Sequence, residues 1–119
     1  MIELSHFIAG TRVSGRSGRF GNVFDPAIGA VRAQVPLASV EDVAAAIAAA
    51  KDAFPGWAAT TPVRRARVLF RLKELIERNA GELAALISAE HGKVAEDAKG
   101  SLQRGLEVVE FACGIPHLL

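Results

Sequence analysis

Apolar and polar positions change their period once along the chain, and the change falls at Ser39. Before it, short runs alternate with a period near two and are punctuated by Gly and Pro, the pattern of half-buried strands joined by tight turns. His6–Ile8 and Thr11–Val13 flank Ala9-Gly10, while Arg19–Phe24 and Ala30–Val35 flank the turn formers Asp25, Pro26 and Gly29. Pro presets φ at such turns and Gly tolerates a positive one, so two small hairpins are predicted. An isolated two-stranded hairpin is marginal in water, and both ribbons therefore need something to lie against.

From Ser39 onward the period is helical. Ser39 offers an N-cap hydroxyl, and Glu41 and Asp42 place negative charge in the first turn. Val40, Val43, Ile47, Ala50 and Phe54 recur as one apolar stripe, and Pro55-Gly56 is expected to end the helix. A second helix follows, with Thr61 as cap and Pro62 at its first position, running to Asn79. Leu69, Leu72 and Ile76 mark its buried face; Arg64, Arg67, Arg71, Glu74 and Arg78 form another stripe. A third helix starts near Gly81 and uses Leu83, Leu86 and Ile87. A fourth runs from Val94 to Cys113, with Gly114 and Pro116 stopping it. No internal repeat or low-complexity linker interrupts this order.

Composition narrows the classes. A 119-residue chain that is 50% hydrophobic and 23% charged suits one ordinary soluble domain. Fourteen Lys+Arg against 13 Asp+Glu leave a net charge of +1, too little to draw nucleic acid or an anionic membrane surface, and neither partner is expected. One cysteine makes no internal disulfide, and no zinc-type spacing occurs, which points to a reducing compartment, the cytoplasm, and to no structural metal. The opening MIELSHFIAG carries Glu3 and lacks a basic cluster before an apolar run, so it does not read as a signal peptide.

Each candidate for chemistry has a plain structural counterpart. Glu74 and Glu77 follow Arg64, Arg65, Arg67 and Arg71 on the same helix, so a solvated face is expected there. Cys113 lies on the stripe of Leu102, Leu106 and Val109 and reads as core. His6, His91 and His117 show no ligand spacing. In Glu90-His91-Gly92-Lys93, Gly92 suits the left-handed residue that closes a helix. Arg104 stands apart, because Gly100, Ser101 and Val108 around it are small or apolar. It either pairs with Glu107 at i+3 or serves as a planar fork for a carboxylate. Gly100 and Gly105 each cost about 1 kcal/mol against Ala in a helix, which favours close contact there.

Phe24-Asp25-Pro26-Ala27, Ala53-Phe54-Pro55-Gly56-Trp57, Arg64-Arg65-Ala66-Arg67, Glu90-His91-Gly92-Lys93 and the run from Gln103 to His117 carry a resemblance. The chain resembles the amino-terminal segment of the CoA-acylating methylmalonate-semialdehyde dehydrogenases, a branch of the aldehyde dehydrogenase superfamily. The resemblance implies an α/β, aldehyde dehydrogenase-like fold of which 1–119 is the leading part of the NAD-binding domain. Residues 1–38 would be hairpins and 39–119 helices, with the catalytic domain absent. It implies a homo-oligomeric full enzyme that oxidises a malonate or methylmalonate semialdehyde with NAD, loses carbon dioxide and passes the acyl group to coenzyme A. Arg104 would then be substrate-binding, holding the semialdehyde carboxylate. No residue matches the family's catalytic cysteine, its Gly-rich phosphate site or its oxyanion-hole asparagine, so no catalytic, cofactor-binding or metal residue is assigned. The isolated segment is expected to be inactive and poorly stable. A non-acylating aldehyde dehydrogenase and a non-catalytic module docking on a full-length homologue are the alternatives.

Overall fold

In the computed structural model, which describes residues 2–119, the alternating segment forms five strands: β1 (Ile2–Glu3), β2 (His6–Ile8), β3 (Thr11–Val13), β4 (Phe20–Phe24) and β5 (Val31–Pro36). Both predicted hairpins are present. β2 pairs antiparallel with β3, His6 opposite Val13, around Ala9 and Gly10 with φ of 52° and 77°. Positive φ at both central residues gives a turn whose twist matches its strands. β4 and β5 pair antiparallel, closed by the Asp25 N–H on the Ala30 carbonyl at 2.7 Å and by Asp25 Oδ1 accepting from the Ala27 N–H at 2.9 Å. The parallel pairing of β1 with β5, Ile2 opposite Ala33, went unpredicted because two residues are too few to show a period. The sheet order is therefore β1-β5-β4, and central β5 buries Ala33 and Pro36.

Helix α1 (Val40–Ala59) starts where expected and ends later. Ser39 Oγ accepts the Asp42 N–H at 3.2 Å while Asp42 Oδ2 accepts the Ser39 N–H at 3.0 Å, a reciprocal capping box with Asp in the place usual for Glu. The chain then continues through Pro55-Gly56 instead of stopping there. Pro55 withholds one N–H from the carbonyl of Lys51, and the helix nonetheless continues past it to Ala59. Val40, Val43, Ile47 and Phe54 are all exposed, and Asp42 is the one buried residue of the helix. The small sheets of the same unit, of three and two strands, leave these side chains uncovered.

The chain divides into two compact units, the first ending at Ala58 and the second beginning at Ala59. The second unit is helical: α2 (Pro62–Arg78), α3 (Ala80–His91), α4 (Ala95–Cys113) and a 3-10 helix, Ile115–Leu118. α4 packs against both α2 and α3, and its core is Ala66, Ala84, Ala98, Leu106 and Cys113. Small residues at these positions let the helix backbones approach closely. Leu72 and Leu86, expected inside, remain exposed. On α2 the inward face instead runs through Arg65, Ala66, Leu69, Lys73 and Ile76, with Lys73 Nζ 2.5 Å from Glu77 Oε1 and 3.3 Å from Glu110 Oε1. A long charged side chain can cover apolar surface with its stem and tie α2 to α4 with its head. α4 ends at Cys113, as expected. Gly114 keeps right-handed angles and the chain tightens into the 3-10 turn, where Pro at the start is tolerated. No helix among the described residues is long and apolar enough to cross a membrane.

Candidate functional site

The best-formed polar cluster of the helical unit stands on α4 and the turn before it. Gly92 closes α3 in the left-handed region at φ 81°, its N–H on the Ser88 carbonyl at 2.8 Å. A side chain there would be strained, so the glycine of the predicted turn is required by the backbone. The turn delivers Lys93, whose Nζ donates to Ser101 Oγ at 2.7 Å, and Arg104 Nη2 donates to the same oxygen at 3.1 Å. The pairing of Arg104 with Glu107 is not found among the described residues, because Glu107 Oε1 accepts from Gln103 Nε2 at 3.3 Å. Arg104 is exposed and meets no carboxylate there. The expected close contact at the two glycines has no source among the described residues. A Cβ on Gly100 would lie 3.8 Å from Arg104 Nη1, an ordinary contact, and one on Gly105 would meet nothing within 4 Å.

The other sequence candidates fall elsewhere. Cys113 is buried at the end of α4, on the stripe with Leu102, Leu106 and Val109. Arg64, Arg67 and Arg71 are exposed on α2, and Arg71 Nη1 bonds Glu74 at 2.5 Å. No group of three His, Cys, Asp or Glu able to hold a metal occurs among the described residues.

Asp42 forms a second polar centre in the first unit. Its Oδ2 also accepts the Arg16 N–H at 3.0 Å, and the Arg16 guanidinium lies 3.6 Å from Oδ1. The backbone N–H groups of Arg16 and Ser39 hold this carboxyl below the usual carboxylate range. Gly15 beside it is tightly packed, since a Cβ would stand 3.0 Å from Pro36 Cβ and 3.1 Å from His6 Nε2. The Ser39-to-Asp42 spacing foretold the cap; the reach back to Arg16, 26 residues away, has no local signal.

The starts of α1, α2 and α4 do not suit a dinucleotide phosphate. The α1 start is already met by its own Asp42 carboxylate, α2 begins with Pro62, and α4 carries Glu96 and Asp97 in its first turn. The connection from β5 to α1, Leu37-Ala38-Ser39, holds no glycine for a phosphate-binding turn.

The sequence pattern of the aldehyde dehydrogenase family matches residues 13–119, and the chain belongs to that family. Malonate-semialdehyde dehydrogenase 3 of Geobacillus kaustophilus (strain HTA426) is 51% identical to it over 116 residues, 98% of this chain and 24% of that protein. Among solved structures, one described as a methylmalonate-semialdehyde dehydrogenase from Sinorhizobium meliloti 1021, complexed with NAD, is 57% identical with a TM-score of 0.96 over 99% of this chain. Methylmalonate-semialdehyde dehydrogenase (DddC) from Oceanimonas doudoroffii is 52% identical with a TM-score of 0.95 over the whole chain. The chain spans 24% of the length of each of these relatives. Its fold is the corresponding part of the aldehyde dehydrogenase fold, mixed α/β with four α-helices and two small antiparallel strand pairs.

Proposed function

We propose that the chain is the amino-terminal segment of an NAD-dependent, CoA-acylating malonate- or methylmalonate-semialdehyde dehydrogenase, and that Arg104 holds the carboxylate of the semialdehyde. The full enzyme oxidises the aldehyde with NAD, releases carbon dioxide and yields acetyl-CoA or propanoyl-CoA. It works as a homo-oligomer in the cytoplasm. The nucleophile and the dinucleotide site lie outside these residues, so the 119-residue segment is inactive by itself.

The observation that carries this reading is an arginine with no carboxylate partner among the described residues, exposed on α4 of a chain whose relatives are named for carboxylated aldehydes. A guanidinium presents several donors in a planar fork that matches a carboxylate, and such charge-assisted bonds are about twice as strong as neutral ones. In the full-length enzyme, Arg104→Ala should lower the preference in kcat/KM for malonate semialdehyde over propanal on the order of 100-fold. An unchanged preference would refute the assignment of Arg104. The intact mass of the native product should exceed the 12.5 kDa of this chain several-fold.

A further inference from the structure

Ser101 Oγ stands 2.7 Å from Lys93 Nζ and 3.1 Å from Arg104 Nη2. Both partners are donors without acceptor capacity, so the hydroxyl receives them on its two lone pairs and has only its proton left to give. One neutral oxygen thus gathers two like charges well inside a Debye length of each other, about 8 Å at physiological ionic strength. Neither cation enters an ion pair among the described residues. Glu107, the acidic residue one turn on from Arg104, bonds Gln103 instead.

The backbone is shaped to bring this about. Gly92 turns the chain at φ 81°, Val94 caps α4, and Lys93 between them reaches eight residues forward to Ser101. Lys93 and Ser101 are both half-buried, so the bond between them is less exposed to competing water than a surface pair.

We infer that Lys93 is a positioning residue for Arg104: acting through Ser101 Oγ it fixes the guanidinium on the face of α4, and its own charge strengthens the pull on a carboxylated aldehyde over a neutral one. The ligand class is the carboxylate of a short 3-oxo acid. The inference rests on the reading of Arg104 as the carboxylate clamp and assigns the turn residue Lys93 to the same seat. Arg104 keeps its remaining N–H groups for that carboxylate, since Ser101 engages Nη2.

The test uses the full-length enzyme and the ratio of kcat/KM for malonate semialdehyde to that for propanal. Lys93→Met should lower the ratio about tenfold, through KM and not kcat, and Ser101→Ala should lower it in the same way. Lys93→Arg, which keeps charge and reach, should restore most of the loss. Adding Lys93→Met to Arg104→Ala should cost little more than Arg104→Ala alone, because residues acting as one unit are not additive. If Arg104→Ala destroys the preference while Lys93→Met and Ser101→Ala leave it at the wild-type value, the inference is overturned and the clamp stands. If Arg104→Ala leaves the preference intact, the clamp itself is refuted, and the role of Lys93 with it. Should Lys93→Met fail to fold, Ser101→Ala, which removes one oxygen, decides the matter.

Discussion

The stretch up to Ala58 and the stretch from Ala59 are held together by different forces. The first depends on polar order: three β-ladders, a capping box, and one buried carboxylate gathering N–H groups from Arg16 and Ser39. Its helix leaves Val40, Val43, Ile47 and Phe54 exposed. The second depends on packing, with Ala66, Ala84, Ala98, Leu106 and Cys113 buried where α4 meets α2 and α3. An amphipathic pattern states that a face is apolar; whether that face is covered depends on how much partner surface the same chain provides.

The contrast breaks most visibly at Leu106. Leu106→Ala should lower the stability of the helical unit by about 2–5 kcal/mol, the range for a large-to-small core substitution, measured by urea denaturation. Ile47→Ser and Phe54→Ser on α1 should do the opposite for the 119-residue chain, raising its solubility and reducing its self-association in light scattering. A sharp, monomeric unfolding transition of the unmodified chain would contradict that view of α1. Gly92→Ala forces a left-handed angle on a side chain and should cost roughly 1–2 kcal/mol in the same denaturation. Ser39→Ala removes the cap hydroxyl of α1 and should cost about 1 kcal/mol, read as lost helicity in circular dichroism.

Acid and alkali should separate the two units. The folded pKa of Asp42 is depressed by the N–H groups of Arg16 and Ser39, so its stabilisation is present above the usual carboxylate value of about 3.9 and fades as pH falls through the lower folded value. The folded pKa of Lys73 is raised by its bonds to Glu77 and then Glu110. Its contribution is therefore present below the usual lysine value of about 10.4 and is lost as pH climbs through the higher folded value. Asp42→Asn should flatten the acid limb of a stability profile and Lys73→Met the alkaline one; interchanged effects would refute the assignment. The smallest change is expected from Glu74→Gln, since its pairing with Arg71 is exposed on both sides and such pairs contribute little.

The order of elements was written locally. The change of period at Ser39, the turn residues Ala9-Gly10 and Gly92, and the Ser39, Pro62 and Val94 starts all act through neighbours within about four residues, the reach of turn and helix hydrogen bonds. Arg104 was legible as an odd cation among small residues, and it stands exposed as such. Its companions were not, because Lys93 meets Ser101 only through a reversal at Gly92 that no periodicity describes. Tertiary structure alone decided that Leu72 and Leu86 stay outside while Ala66 and Ala84 go inside, that Lys73 joins Glu110 and that Asp42 reaches Arg16. Burial is a property shared between segments: close helix contact favours the small side chain over the large one, and a polar group takes the partner that the fold brings to it.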